Sequence, residues 1–153
     1  MTDTITINEV TNTITVTTVT ETIVINDPGL PEPAGAACVN FLVDGLGAGI
    51  TTGQKGFVVI PFNCAIVSWT LIADAAGSMV MDIWKDTFVN SPPTVADSIT
   101  GSAKPTLSSA NRATSFTLTG WTTLVNAGDV LAFNIDSATG ISRVTLSLSL
   151  ARS

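Results

Sequence analysis

The stretch Ile141-Ser142-Arg143-Val144-Thr145-Leu146-Ser147-Leu148-Ser149-Leu150 decides the fold class. Val144, Leu146, Leu148 and Leu150 fall on one side of an extended chain, and Thr145, Ser147 and Ser149 on the other. Side chains alternate in a strand, so this pattern spells a sheet with one face in a core. The same period-two pattern runs through Ala65, Val67, Trp69, Leu71 and Ala73, through Met79, Met81 and Ile83, and through Leu131, Phe133 and Ile135. No apolar stripe with a 3.6-residue period is long enough for a helix. Strands are therefore expected at 38–43, 56–62, 64–73, 78–85, 115–121, 129–136 and 141–150. Turn signals separate them at Asp44-Gly45, Ala75-Ala76-Gly77, Asn126-Ala127-Gly128 and Ala138-Thr139-Gly140. Asn90 to Asn111, with Pro92-Pro93 and Pro105, reads as one long polar excursion. Seven or eight short strands with one long crossover suit a Greek-key or jelly-roll β-sandwich, so the expected fold is all-β.

Upstream of this body lies a different kind of sequence. Thr4-Ile5-Thr6-Ile7-Asn8-Glu9-Val10-Thr11-Asn12 aligns with Thr13-Ile14-Thr15-Val16-Thr17-Thr18-Val19-Thr20-Glu21, and a third copy, Thr22-Ile23-Val24-Ile25-Asn26-Asp27, ends at Pro28. Of the first 27 residues ten are Thr and nine are Ile or Val, with no Gly, Lys or Arg. Branching at Cβ favours extended backbone, so residues 1–27 read as a β arm rather than a disordered tail. Nine is odd, and strict alternation would turn the apolar side over at every repeat. A chain that turns a corner once per repeat keeps Ile5, Ile7, Val10, Ile14, Val16, Val19, Ile23 and Ile25 on one axis. Three such chains wound round a threefold axis, as in a β-prism, would bury that stripe and leave no free sheet edge. These eight residues are the expected interface with other copies of the chain or with a partner protein. Residues 28–37, with three prolines, form the linker, and 38–153 the sandwich domain.

Composition excludes much. The 153 residues contain no histidine, which removes Ser-His-Asp and Cys-His chemistry and the ordinary zinc site. Six basic against twelve acidic residues give a net charge of −6, unsuited to a phosphate backbone, so no nucleic-acid partner is expected. Only 12% of residues are charged and mean hydropathy is +0.47, values that raise the question of a membrane. The most apolar stretch, Ala65 to Met81, carries Ser68, Thr70, Asp74 and Ser78, and its uninterrupted part between Asn63 and Asp74 is ten residues, about half of what a spanning helix needs. No signal-peptide pattern opens the chain. Other copies of the chain are the better cover for its apolar surface. Asp3, Glu9, Glu21 and Asp27 put −4 of the −6 in the arm.

The candidates for chemistry each have a plainer reading. Cys38 and Cys64 sit in apolar strand contexts and read as two buried thiols rather than a disulfide or metal pair. Gly45-Leu46-Gly47-Ala48-Gly49 lacks the Lys-Ser/Thr of a phosphate loop and reads as a mobile hairpin connection. Asp82 with Asp86, and Asp129 with Asp136, read as strand-end carboxylates and turn caps rather than a hydrolase pair or a cation site. Trp69 reads as core. Trp84 falls on the face opposite Met81 and Ile83, which makes it a surface or intersubunit contact, with sugar stacking as the alternative. No catalytic residue, cofactor or metal is expected.

Several strings taken together resemble a small domain of tailed-bacteriophage structural proteins. They are Gly53-Gln54-Lys55-Gly56, Ile60-Pro61-Phe62-Asn63-Cys64, Trp69-Thr70-Leu71-Ile72-Ala73-Asp74 and Asp82-Ile83-Trp84-Lys85-Asp86, then Pro92-Pro93-Thr94 and Asp97-Ser98-Ile99-Thr100-Gly101-Ser102. Pro105-Thr106-Leu107-Ser108-Ser109, Gly128-Asp129, Phe133-Asn134-Ile135-Asp136-Ser137 and Arg143-Val144-Thr145-Leu146 complete them. The resemblance implies a non-enzymatic virion component built as a trimeric jelly-roll and assembled in the host cytoplasm, where thiols stay reduced. It implies either a capsid decoration or head-fibre protein on the major capsid protein, or a receptor-binding tail-fibre or baseplate tip.

Overall fold

A computed structural model describes residues 35–152. Val144, Leu146, Leu148 and Leu150 are at most 1% exposed, and the three hydroxyl residues between them are only partly covered, as the alternation requires. These residues belong to β7 (Arg143–Arg152). The other strands are β1 (Ala36–Asp44), β2 (Gly53–Val59), β3 (Cys64–Asp86), β4 (Thr106–Ser115), β5 (Leu124–Val125) and β6 (Val130–Thr139). Two single 3-10 turns, Phe88–Asn90 and Val95–Asp97, interrupt the excursion after β3. The described residues are all-β, and every strand pairing is antiparallel.

The organising element is β3, one strand of 23 residues. Two strands with a turn at Ala75-Ala76-Gly77 were expected there, and the physical reason for the difference lies across the ladder. The first half of β3 pairs with β7, from Cys64↔Arg152 to Ala73↔Val144. The second half pairs with β6, from Ser78↔Thr139 to Asp86↔Val130. The β6–β7 link at residues 140–142 thus lies opposite Asp74–Gly77. Asp74 accepts the backbone N–H groups of Ser142 (3.1 Å) and Arg143 (3.0 Å), replacing ladder bonds that the link breaks. Gly77 permits close approach: a methyl group there would stand 2.5 Å from the Thr139 carbonyl oxygen and 2.6 Å from Ile141 Cγ1. Gly77→Ala is therefore expected to cost about 1–3 kcal/mol, read as a lower urea midpoint at unchanged slope.

Strand order is β1-β7-β3-β6-β2, with β4 and β5 on the remaining edge of β3. Bending where β3 and the β6–β7 link coincide curls this sheet, as happens where strands pass between packed layers. The two ends then face one another: Phe41 of β1 stacks on Phe133 of β6, ring centroids 4.1 Å apart and 16° from parallel. Gly56 of β2 leaves room for the Phe41 ring tip, 3.0 Å from where a Cβ would sit. The core between the halves holds Leu71, Met81, Ile83, Leu131, Phe133, Ile135, Leu146 and Leu148, all fully buried.

Three further expectations need correction. Of the strand expected at 115–121 only Ser115 is in one, as the last residue of β4: Ser115 and Thr117 close a local hydroxyl turn, and Gly120 adopts φ +78°. The last six residues of the supposed polar excursion, 106–111, belong to strand β4, which pairs with β3 from Trp69↔Ser115 to Val80↔Thr106. Its polarity misleads because only Leu107 of its ten residues is buried. The glycine-rich segment after β1 is no hairpin connection, since β1 pairs with β7 and β2 with β6. It is pinned by Gly45 N–H to the Ser142 carbonyl (2.8 Å) and Ile50 N–H to the Ile141 carbonyl (2.9 Å).

Candidate functional site

Alternation along β3 turns Asp82 and Trp84 away from the core that Met81 and Ile83 enter. The excursion returns over this outer side. Ile99 N–H donates to the Ile83 carbonyl and Met81 N–H to the Pro105 carbonyl, both at 2.9 Å. Asp82 ends 1% exposed although its face points outward. Its Oδ1 accepts from Ser98 Oγ (2.7 Å), Thr100 Oγ1 (2.5 Å) and the Ile83 N–H (2.8 Å). Its Oδ2 accepts from Trp84 Nε1 (3.0 Å) and pairs with Lys104 Nζ (2.9 Å). Lys104 also reaches Asp136 (2.7 Å), which Asn134 holds through Nδ2 (2.7 Å).

Burial alone pushes the Asp82 carboxyl up, but the bonds from Thr100, Lys104, Ser98 and Trp84 outweigh it and hold the group below the ordinary carboxylate range. Asp136 and Asp82 together raise Lys104. Among the described residues every buried side-chain polar atom has a partner, and no three Cys, Asp or Glu side chains cluster to hold a metal ion. Chemically the arrangement is a clamp. It fastens residues 98–104 onto the outer face of the sheet and leaves no lone pair of Asp82 for a substrate.

The remaining candidates are dispersed. Trp84 is half-buried and opposite Met81 and Ile83, with its indole N–H committed to Asp82. It shares a cross-strand row with Ala132 and Phe57, the last 48% exposed. Asp86 caps Thr87 N–H (2.7 Å), and Asp129 accepts Asn126 N–H (2.9 Å) and pairs with Lys85 (3.0 Å). These are the expected turn and strand-end roles. Trp69 and Cys64 are buried, but Cys38 is exposed, which corrects the reading of two buried thiols. Its phase explains why: Cys38, Asn40 and Leu42 share the outer face, while Val39, Phe41 and Val43 point inward. Ile5, Ile7, Val10, Ile14, Val16, Val19, Ile23 and Ile25 lie outside the described residues.

What the body presents instead is a broad, nearly uncharged sheet face. One cross-strand row is Asn40, Ser147, Thr70 and Thr114, with the two threonine hydroxyls 3.0 Å apart. The next is Leu42, Thr145, Ile72 and Arg112. Leu42 and Ile72 are 56% and 60% exposed. Such a face offers hydroxyl groups and aliphatic area with almost no electrostatic steering, a composition suited to lasting contact with another protein. No known protein family, characterised protein or solved structure matches the chain.

Proposed function

We propose that this chain is a structural protein of a tailed-bacteriophage virion, a homotrimeric capsid decoration or head-fibre protein with a jelly-roll body. The observation that carries the reading is the nearly uncharged outer face of β1, β7, β3 and β4, with Leu42 and Ile72 left open beside rows of Ser, Thr and Asn. It fits a protein whose work is adhesion. The strings that resemble phage structural domains and the Thr-Ile repeat of the arm support the same reading. In this reading the arms join three chains, the outer face seats on the major capsid protein, and stabilisation is passive.

Copy number in purified virions tests it. Hundreds of copies per particle, with binding to expanded empty capsids, is the expected result. A handful of copies, together with lost host adsorption and normal capsid stability on deletion, would assign the chain to a tail tip. Removing residues 1–27 is expected to abolish trimers or capsid binding, measured by sedimentation and capsid pull-down, and persistence of both would overturn the role of the arm.

A further inference from the structure

β1 ends the strand order, and among the described residues nothing pairs with its second edge. The hydrogen-bond phase says which groups that edge presents. Arg152 N–H donates to the Gly35 carbonyl (3.2 Å) and Gly45 N–H to the Ser142 carbonyl (2.8 Å). In an antiparallel ladder bonded pairs alternate, so the odd-numbered residues from 35 to 45 exchange bonds with β7. Cys38, Asn40 and Leu42 therefore aim their N–H and C=O groups at the open edge. The strand contains no proline, carries no charge before Asp44, and runs nine residues against β7 without a bulge. β2, at the opposite end of the order, has a bulge between Gln54 and Gly56 with Lys55 at the break. Bulges and lysines blunt an edge against pairing, and β1 has neither.

The core is also open on this side. Val39 and Phe41 pack against it only half-buried, whereas Leu146 and Leu148 in the neighbouring strand are fully enclosed. A strand added here must be aliphatic on its inner side and small and hydroxylated on its outer side, continuing Asn40, Ser147 and Thr70. The arm has that pattern: Ile5 and Ile7 alternate with Thr4 and Thr6, and Ile14 and Val16 with Thr13 and Thr15, with no Gly, Pro, Lys or Arg before Pro28. Pro28 to Gly35 separates arm from edge with three prolines. At about 3.1 Å per residue in an extended proline-rich conformation, a segment of this length spans at most roughly 25 Å.

We infer that a repeat of the arm of one copy adds as a strand to the β1 edge of a neighbouring copy, its Ile and Val covering Val39 and Phe41 and its Thr extending the outer face. This rests on the arm as the intersubunit element and is independent of where in a virion the protein sits, so copy number and edge pairing can fail separately.

Amide hydrogen exchange on the full chain tests it. Cys38, Asn40 and Leu42 are expected to exchange on the order of 100-fold or more slowly than free amides, as Val39, Phe41 and Val43 do. Rapid exchange at those three with protection at the other three overturns the proposal. Asn40→Pro removes an edge N–H while sparing the β7 ladder, and is expected to convert oligomer to monomer with the body still folded. Should it unfold the body, Leu42→Lys supplies the same block from the side chain. Retained oligomer with either folded variant overturns the proposal. The occupant is read by a short bismaleimide on chains carrying Thr4→Cys, Thr13→Cys or Thr22→Cys, since Cys38 is exposed and Cys64 buried. An intermolecular link from the arm to Cys38 is expected. Links only between two Cys38 residues, or only within one chain, overturn the assignment.

Discussion

Asp82→Ala is expected to destabilise the body by about 3–5 kcal/mol, lowering Tm by on the order of 10–15 °C. The carboxylate is 1% exposed and collects bonds from Ser98, Thr100, Trp84 and Lys104. Removing it strands the fully buried Thr100 hydroxyl and takes the charged partner from the half-buried Ser98 hydroxyl, the Trp84 indole N–H and the Lys104 ammonium. Asp136→Ala, by contrast, breaks an ion pair whose members are about one-third exposed, and up to about 1 kcal/mol is expected. Because Trp84 donates to Asp82, the Asp82→Ala protein should also show a red-shifted tryptophan emission before global unfolding. Equal losses for the two variants would remove Asp82 as the centre of the clamp.

The same group predicts a pH dependence. Asp82 titrates lower in the folded protein than in the unfolded chain. Its contribution is therefore complete above the unfolded value near pH 4 and fades as pH falls through that value toward the folded one. Lys104 shifts the other way, so its share persists up to about pH 10 and fades as pH rises further. The stability gap between the native protein and Asp82→Ala is expected to be level from about pH 5 to 9 and to close on acidification below about pH 4. A gap that stays constant down to pH 2 would contradict the clamp.

How far the sequence reads the fold depends on whether one strand face is buried. The β7, β6 and β3 patterns are legible because water is excluded from one side of each, and every second residue there is aliphatic. β4 is hidden because nine of its ten residues stay at least partly exposed, so nothing selects for alternation. Ala75-Ala76-Gly77 imitates a turn because a sheet corner and a hairpin both require small residues. The clamp is invisible for another reason. Asp82 meets Ser98, Thr100 and Lys104 only after the excursion doubles back, while its sequence neighbourhood offers just Asp86 and Trp84. Cys38 was within reach, since its phase with Asn40 and Leu42 already separates it from Val39 and Phe41.

Phe133→Ala is the second large effect expected, about 3–5 kcal/mol. Phe133 is fully buried at the point where the curled sheet meets itself, and its one ring partner among the described residues, Phe41, comes from a strand that is not its neighbour in the sheet. The substitution removes a ring from a core bounded by two halves of one sheet, which cannot collapse on the void without changing the bend at Asp74–Gly77. Phe41→Ala is expected to cost about half as much, because Phe41 is only half-buried beside the open edge. A double-mutant cycle should return about 0.5–1.5 kcal/mol of coupling between the two rings, beyond the area each buries. Leu42→Ala, one residue along the strand but on the outer face, serves as the control and is expected to change stability by less than about 0.5 kcal/mol in the isolated protein. Additive losses at Phe41 and Phe133 would mean that the two halves do not share a core. Coupling at Phe41 together with a large loss at Leu42 confined to the assembled protein would show that another chain covers the outer face of β1.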